Sequence, residues 1–131
     1  MRLYVPLTLD ELSGVLAAGR LPERTALGVT SVLRSLDPEA DEEDLEFEAM
    51  CQALDLARDL GPGRRVVAAA DAAAREDAGS GALLSGEAAV PLTDVVSFHV
   101  EEGEGPAGTG YDDLLWYDVT ELGVLVSEAA R

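Results

Sequence analysis

Lysine is absent from the 131 residues, and the nine basic side chains, all arginines, face 26 acids for a formal net charge of −17. Without lysine there is no Schiff-base chemistry and no phosphate loop of the lysine-bearing kind. So large a deficit of positive charge repels phosphate backbones and anionic lipid head groups, so neither nucleic acid nor a membrane is expected as a partner. Cys51 is the one cysteine, which excludes an intrachain disulfide and suits a reducing cytoplasm. His99 is the one histidine, so no His-cluster metal site and no two-nitrogen zinc site can form. Aromatic residues are only 5% of the chain, so the core must be built mainly from Leu, Val and Ala. No apolar run approaches the ~20 residues of a membrane span, and Asp10 and Glu11 interrupt any signal-peptide core. There is no Gly-x-Ser-x-Gly elbow and no recognisable triad. Catalytic residues, metal and cofactor are accordingly not assigned, and the chain reads as a cytoplasmic protein.

What is present reads as one α/β domain over residues 1–131. Arg2 to Pro6 alternates as a strand, and Thr8-Leu-Asp-Glu11 is a capping-box pattern opening a helix that stops at Gly19. Ala26 to Thr30 reads as a second strand, followed by a helical turn at Ser31 to Leu36. Asp41 to Leu60 is the longest helix, ended by Gly61-Pro-Gly63. Arg64 to Asp71 is a third strand, residues 72–87 a surface loop, Ala88 to Leu92 a short strand, and Val96 to Glu102 a longer one. After the glycine-rich stretch Gly103 to Gly110, Leu114 to Tyr117 is the last strand. Asp118-Val-Thr-Glu121 then repeats the capping box before a C-terminal helix. The expectation is a two-layer fold, a mixed sheet of about five strands with helices mainly on one face. Val5-Pro-Leu-Thr8 and Val90-Pro-Leu-Thr93 are identical, which reads as threonine used twice as a cap after a strand.

The charge is concentrated. Residues 37–59 hold ten acids and one arginine, net −9. At about 100° per residue, Asp44, Glu48, Asp55 and Asp59 fall on one side of the long helix. The opposite arc, with Leu45, Ala49, Ala53, Leu54, Leu56 and Leu60 and with Phe47 and Met50 at its flank, is broad enough for two neighbouring elements. Helix-dipole preference and a general acidic bias each account for some of the acids. The sharper reading makes Asp44, Glu48, Asp55 and Asp59 a docking face for a basic protein partner. Cys51, at the edge of the apolar arc, reads as a small buried hydrophobe.

Strand alternation puts Leu3, Val5, Leu27, Val29, Phe98 and Val100 on a core face. The other parity carries Tyr4, Arg65 and His99. Trp116 and Tyr117 must point opposite ways, and parity alone does not say which joins them. A face of Tyr4, Arg65, His99 and Trp116 is amphipathic. It suits a homodimer contact, a half-wet sheet or a small-molecule site.

Several stretches resemble a family of small uncharacterised proteins from high-GC actinobacteria, classed as a domain of unknown function. They include Met1-Arg-Leu-Tyr-Val-Pro-Leu-Thr8, Ala26-Leu-Gly-Val-Thr-Ser-Val-Leu-Arg34, Glu42-Glu-Asp-Leu-Glu46, Arg64-Arg-Val-Val-Ala-Ala-Ala-Asp71, Val95-Val-Ser-Phe-His-Val-Glu101 and Leu114-Leu-Trp-Tyr-Asp118. The resemblance implies no activity and no site. The functional expectation is a homodimeric accessory or interaction protein presenting its acidic helix to a basic partner, with a small-molecule binder or minor enzyme on the second sheet face as the alternative.

Overall fold

The computed structural model describes residues 2–71 and 89–130. Strand β1 (Arg2–Thr8) leads through a 3-10 turn into helix α1 (Leu12–Ala18), and α2 (Ser31–Leu36) and α3 (Glu42–Asp59) follow. Strands β2 (Arg65–Asp71), β3 (Val95–Val100) and β4 (Leu115–Asp118) come next, before helix α4 (Leu122–Ala129). The four strands form one sheet in the order β1-β2-β3-β4, and every neighbouring pair is antiparallel. The mixed sheet of about five strands is thus corrected, among the described residues, to an antiparallel sheet of four.

The segment expected as a second strand fails because only Leu27 reaches the sheet. Its N–H and C=O exchange bonds of 2.9 and 2.8 Å with Tyr4 on the outer edge of β1. Three residues later Thr30 already caps α2, its Oγ1 accepting from the Leu33 amide at 3.0 Å, so the segment has no room to continue a ladder. The described part of the short strand expected at Ala88 to Leu92 makes only a bridge, with Arg20 pairing Pro91. Proline supplies no N–H to extend it. The loop expected at 72–87 lies outside the described residues.

Both capping boxes are present, and each opens a 3-10 turn that runs on into a helix. The Glu11 carboxylate accepts from the Thr8 amide at 3.0 Å, and Glu121 from the Asp118 amide at 3.0 Å. Glu11 also takes a bidentate clamp from Arg24, at 2.9 and 2.7 Å, which ties the segment after α1 back to its start. Helix α1 ends where Gly19 adopts φ 73°, a left-handed geometry that glycine enters without steric cost.

Helices cover both faces of the sheet, not mainly one. On one face Leu3, Val5, Leu7, Val66, Ala68 and Phe98 pack with Leu12 and Val15 of α1 and Leu122 and Leu125 of α4. On the other, Tyr4, Val67 and Ala69 meet Leu45, Ala49, Ala53 and Leu54 of α3, with Leu27 and Leu33. The scarcity of large side chains explains the geometry. Ala49, Ala53 and Ala57 recur every fourth residue on α3 and are fully buried, so the helix can settle closely over the alanine-rich β2. Among the described residues no helix is long and apolar enough to cross a membrane.

Candidate functional site

Among the described residues helix α3 packs across β1 and β2, and no helix lies over the β3–β4 half of that sheet face beside it. The step between helix and open sheet forms a groove of about 300 Å³. Register builds its floor: Tyr4, Ala69 and Ser97 lie in one row across the sheet, and His99 and Trp116 pair directly in the next. Helical spacing builds its wall, because Glu43, Glu46, Phe47 and Met50 at i, i+3, i+4 and i+7 share one flank of α3. The pairing with His99 settles the parity of β4. Trp116 faces the groove, while Tyr117 packs into the core under α1 and α4. Trp116 is 59% exposed and Phe47 38%, two large apolar side chains bordering the same depression.

The structure therefore brings together Tyr4, His99 and Trp116, and separates Arg65 from them. Arg65 shares their face but sits at the far end of β2, fully buried, where its Nη2 donates to Glu101 Oε1 at 2.7 Å and to the Thr109 carbonyl at 2.8 Å. Glu101 also accepts from the Arg65 amide (2.8 Å), the Gly105 amide (2.8 Å) and Arg58 (3.2 Å). Arg58, in the last turn of α3, donates in addition to the carbonyls of Gly105, Gly61 and Gly63. This network fastens the glycine-rich loop to the fold. Burial pushes the Glu101 carboxyl up, but the hydrogen bonds from Arg65 outweigh it and hold the group below the usual carboxylate range.

The acids of the helix stripe divide in the same way. Asp55 is committed internally: it accepts from the Gly108 amide at 2.8 Å and from the Tyr111 hydroxyl at 2.8 and 2.9 Å. Asp44 and Glu48 are exposed, the second accepting from Gln52, and Asp59 is exposed at the helix end. Among the described residues Glu43, Asp44, Glu46, Glu48 and Asp59 make no salt bridge, whereas Glu42 pairs with Arg34. Sequence reasoning missed Glu43 and Glu46 as site residues, although their helical spacing to Phe47 and Met50 carried the signal. Arg2, at the end of the groove, is paired with Asp71 at 2.7 Å.

The groove holds two neutral hydrogen-bonding side chains, Tyr4 and His99. Burial, with help from Glu46, pushes the Tyr4 phenol up to about 12, so it is a neutral donor at physiological pH. Burial, then the Arg2 charge, lowers His99, which is a neutral imidazole sharing a hydrogen bond of 3.0 Å with Ser97 Oγ. Among the described residues no carboxylate is hydrogen-bonded to the other ring nitrogen, so the pair has no orienting acid for a nucleophilic serine. On the other flank of α3 burial pushes the Cys51 thiol up to about 12, which leaves no thiolate. A second cleft, of about 390 Å³ beside α1, includes Glu11, whose carboxylate is already held by Arg24.

Searches among curated proteins and among solved structures each gave no match. One family model does match, over residues 1–109, a stretch that contains β1 to β3 and all of α3; Trp116 follows it. The resemblance to an uncharacterised family read from the sequence holds at that level: the chain belongs to the family of unknown function DUF6912.

Proposed function

We propose that the protein is a cytoplasmic accessory module that docks a basic protein partner on the outer side of α3. The observation that carries this reading is that Glu43, Asp44, Glu46, Glu48 and Asp59 crowd one helix without a salt bridge to any described base. Uncompensated like charges on a helix repel one another, and a basic surface brought against them relieves that repulsion. The exposed Phe47 and Trp116, which border one groove with Glu43 and Glu46, supply the apolar anchors that a charged surface alone lacks. Homodimerisation through the same face is less well supported, because each copy carries −17 and would set its acids against those of its twin.

Calorimetric titration with a lysine- and arginine-rich peptide tests the proposal. Saturable binding that weakens with salt is expected, as is its loss in the triple variant Asp44→Arg, Glu48→Arg, Asp59→Arg at an unchanged melting temperature. Equal binding by the triple variant would contradict the assignment to α3.

A further inference from the structure

The groove has a chemistry narrower than acidity. Its open side is the Trp116 indole, its helix wall offers the apolar bodies of Phe47 and Met50, and its charge comes from Glu43 and Glu46. The one cation there among the described residues, Arg2, is already tied to Asp71 through two hydrogen bonds. His99 adds no positive charge, since burial favours its neutral form. An aromatic face and carboxylates that make no salt bridge among the described residues, beside the apolar wall of Phe47 and Met50, match a side chain that has a long apolar stem and a flat cationic head. From this geometry we infer that the groove seats an arginine side chain of the basic partner, its guanidinium on the Trp116 ring and its charge turned to Glu43 and Glu46.

Guanidinium fits better than ammonium for physical reasons. It is planar, weakly hydrated and stacks on aromatic faces, whereas an ammonium keeps its water shell and gains less from a ring. The inference rests on the docking role proposed above for α3, and it names the point of contact. Charge also selects the occupant: a second copy of this chain would bring an anionic surface to an anionic rim.

Trp116 is the only tryptophan in the chain, so its fluorescence reports on the groove alone. The full chain is titrated with a short arginine-rich peptide, with the same peptide carrying citrulline for arginine, and with its lysine counterpart. A saturable change in Trp116 emission with arginine, none with citrulline and a weaker one with lysine is the expected result. By calorimetry, Trp116→Leu and Glu46→Gln each weaken the arginine peptide about five- to tenfold, and Trp116→Leu reduces the preference for arginine over lysine. Arginine-peptide binding that leaves Trp116 emission unchanged overturns the groove assignment while the acidic-helix reading stands. Failure of both basic peptides to bind overturns both. Emission that changes with protein concentration in the absence of peptide assigns the face to a second copy and also overturns the inference.

Discussion

Arg65 and Glu101 form a buried ion pair, Nη2 to Oε1 at 2.7 Å, in which the same carboxylate also accepts the Arg65 main-chain amide at 2.8 Å. Arg65 lies at the start of β2 and Glu101 just past the end of β3, so the pair locks the two strands at the point where the glycine-rich loop departs. Among the described residues Arg65 Nη1 has no hydrogen-bond partner, and Asp55 Oδ1 stands 3.9 Å from it. A pair of this kind is costly to break from one side, since the charge left behind stays out of water.

Glu101→Gln and Arg65→Met each therefore destabilise the fold by about 3–5 kcal/mol in denaturant melts, and the double variant loses less than the sum. The pair also sets an acid limit. Glu101 titrates lower in the folded chain than in the unfolded one, so its contribution is complete above the unfolded value of about 4.3 and is lost as pH falls through the lower folded value. Stability followed from pH 7 downward falls less steeply at its acid end in Glu101→Gln than in the parent. Equal acid slopes would show that the carboxylate is not held by Arg65.

The loop over this pair discriminates between its glycines. A Cβ on Gly105 would stand 2.8 Å from Glu101 Oε1, and one on Gly110 would stand 3.1 Å from Arg65 Nη2 at a backbone φ of +85°. A Cβ on Gly103 would meet nothing within 4 Å among the described residues. Gly110→Ala is expected to cost about 1–2 kcal/mol from left-handed strain alone, with Gly105→Ala also destabilising and Gly103→Ala close to neutral. Thermal denaturation of the three variants checks the order.

Tyr111 fastens the far end of the same loop to α3 through Asp55. Its hydroxyl is pushed up to about 12, by burial first and then by the hydrogen bonds to that carboxylate, so it donates throughout the physiological range. Tyr111→Phe removes the donor but leaves the Gly108 amide on Asp55. A loss of about 1 kcal/mol is expected from the chemical melt, at the low end for a hydrogen bond to a charged group because the site is partly exposed.

His99 makes stability fall on mild acidification. Burial and Arg2 place its folded value below the unfolded value of about 6.5, so between these two values the unfolded chain binds the proton and the folded chain does not. Stability thus declines as pH drops below about 6.5, and His99→Gln flattens that segment of the curve. Tyr4, pushed up to about 12, and Arg2, raised by Asp71, do not titrate there, while Glu43 and Glu46 face the same groove from α3. Melting temperatures measured across this window for parent and variant decide the matter.

Much of the architecture was legible because local chemistry specified it. The capping boxes at Thr8 and Asp118, the left-handed stop at Gly19 and the Gly61-Pro-Gly63 break located their elements to within a few residues. The position of α3 was not legible, because Ala68, Ala69 and Ala70 look alike on both faces of β2 and carry no alternation to read. That Arg65 stands apart from Tyr4, His99 and Trp116 on their shared face was not legible, because its partner Glu101 lies 36 positions away and is found only through strand register and the folded-back loop. Trp116 joined Tyr4 and His99 only once its pairing with His99 settled which of two adjacent aromatics faces α3.

Docking of a basic segment on α3 and the open sheet beside it is read most simply by mapping amide and indole shifts of the isotopically labelled chain on addition of the arginine-rich peptide. Docking there perturbs the α3 residues around Glu43, Asp44, Glu46, Glu48 and Asp59, together with Ser97, His99 and the Trp116 indole. Shifts centred instead on the α1 cleft, or on the loop around Gly105 and Tyr111 with Trp116 unmoved, would contradict it.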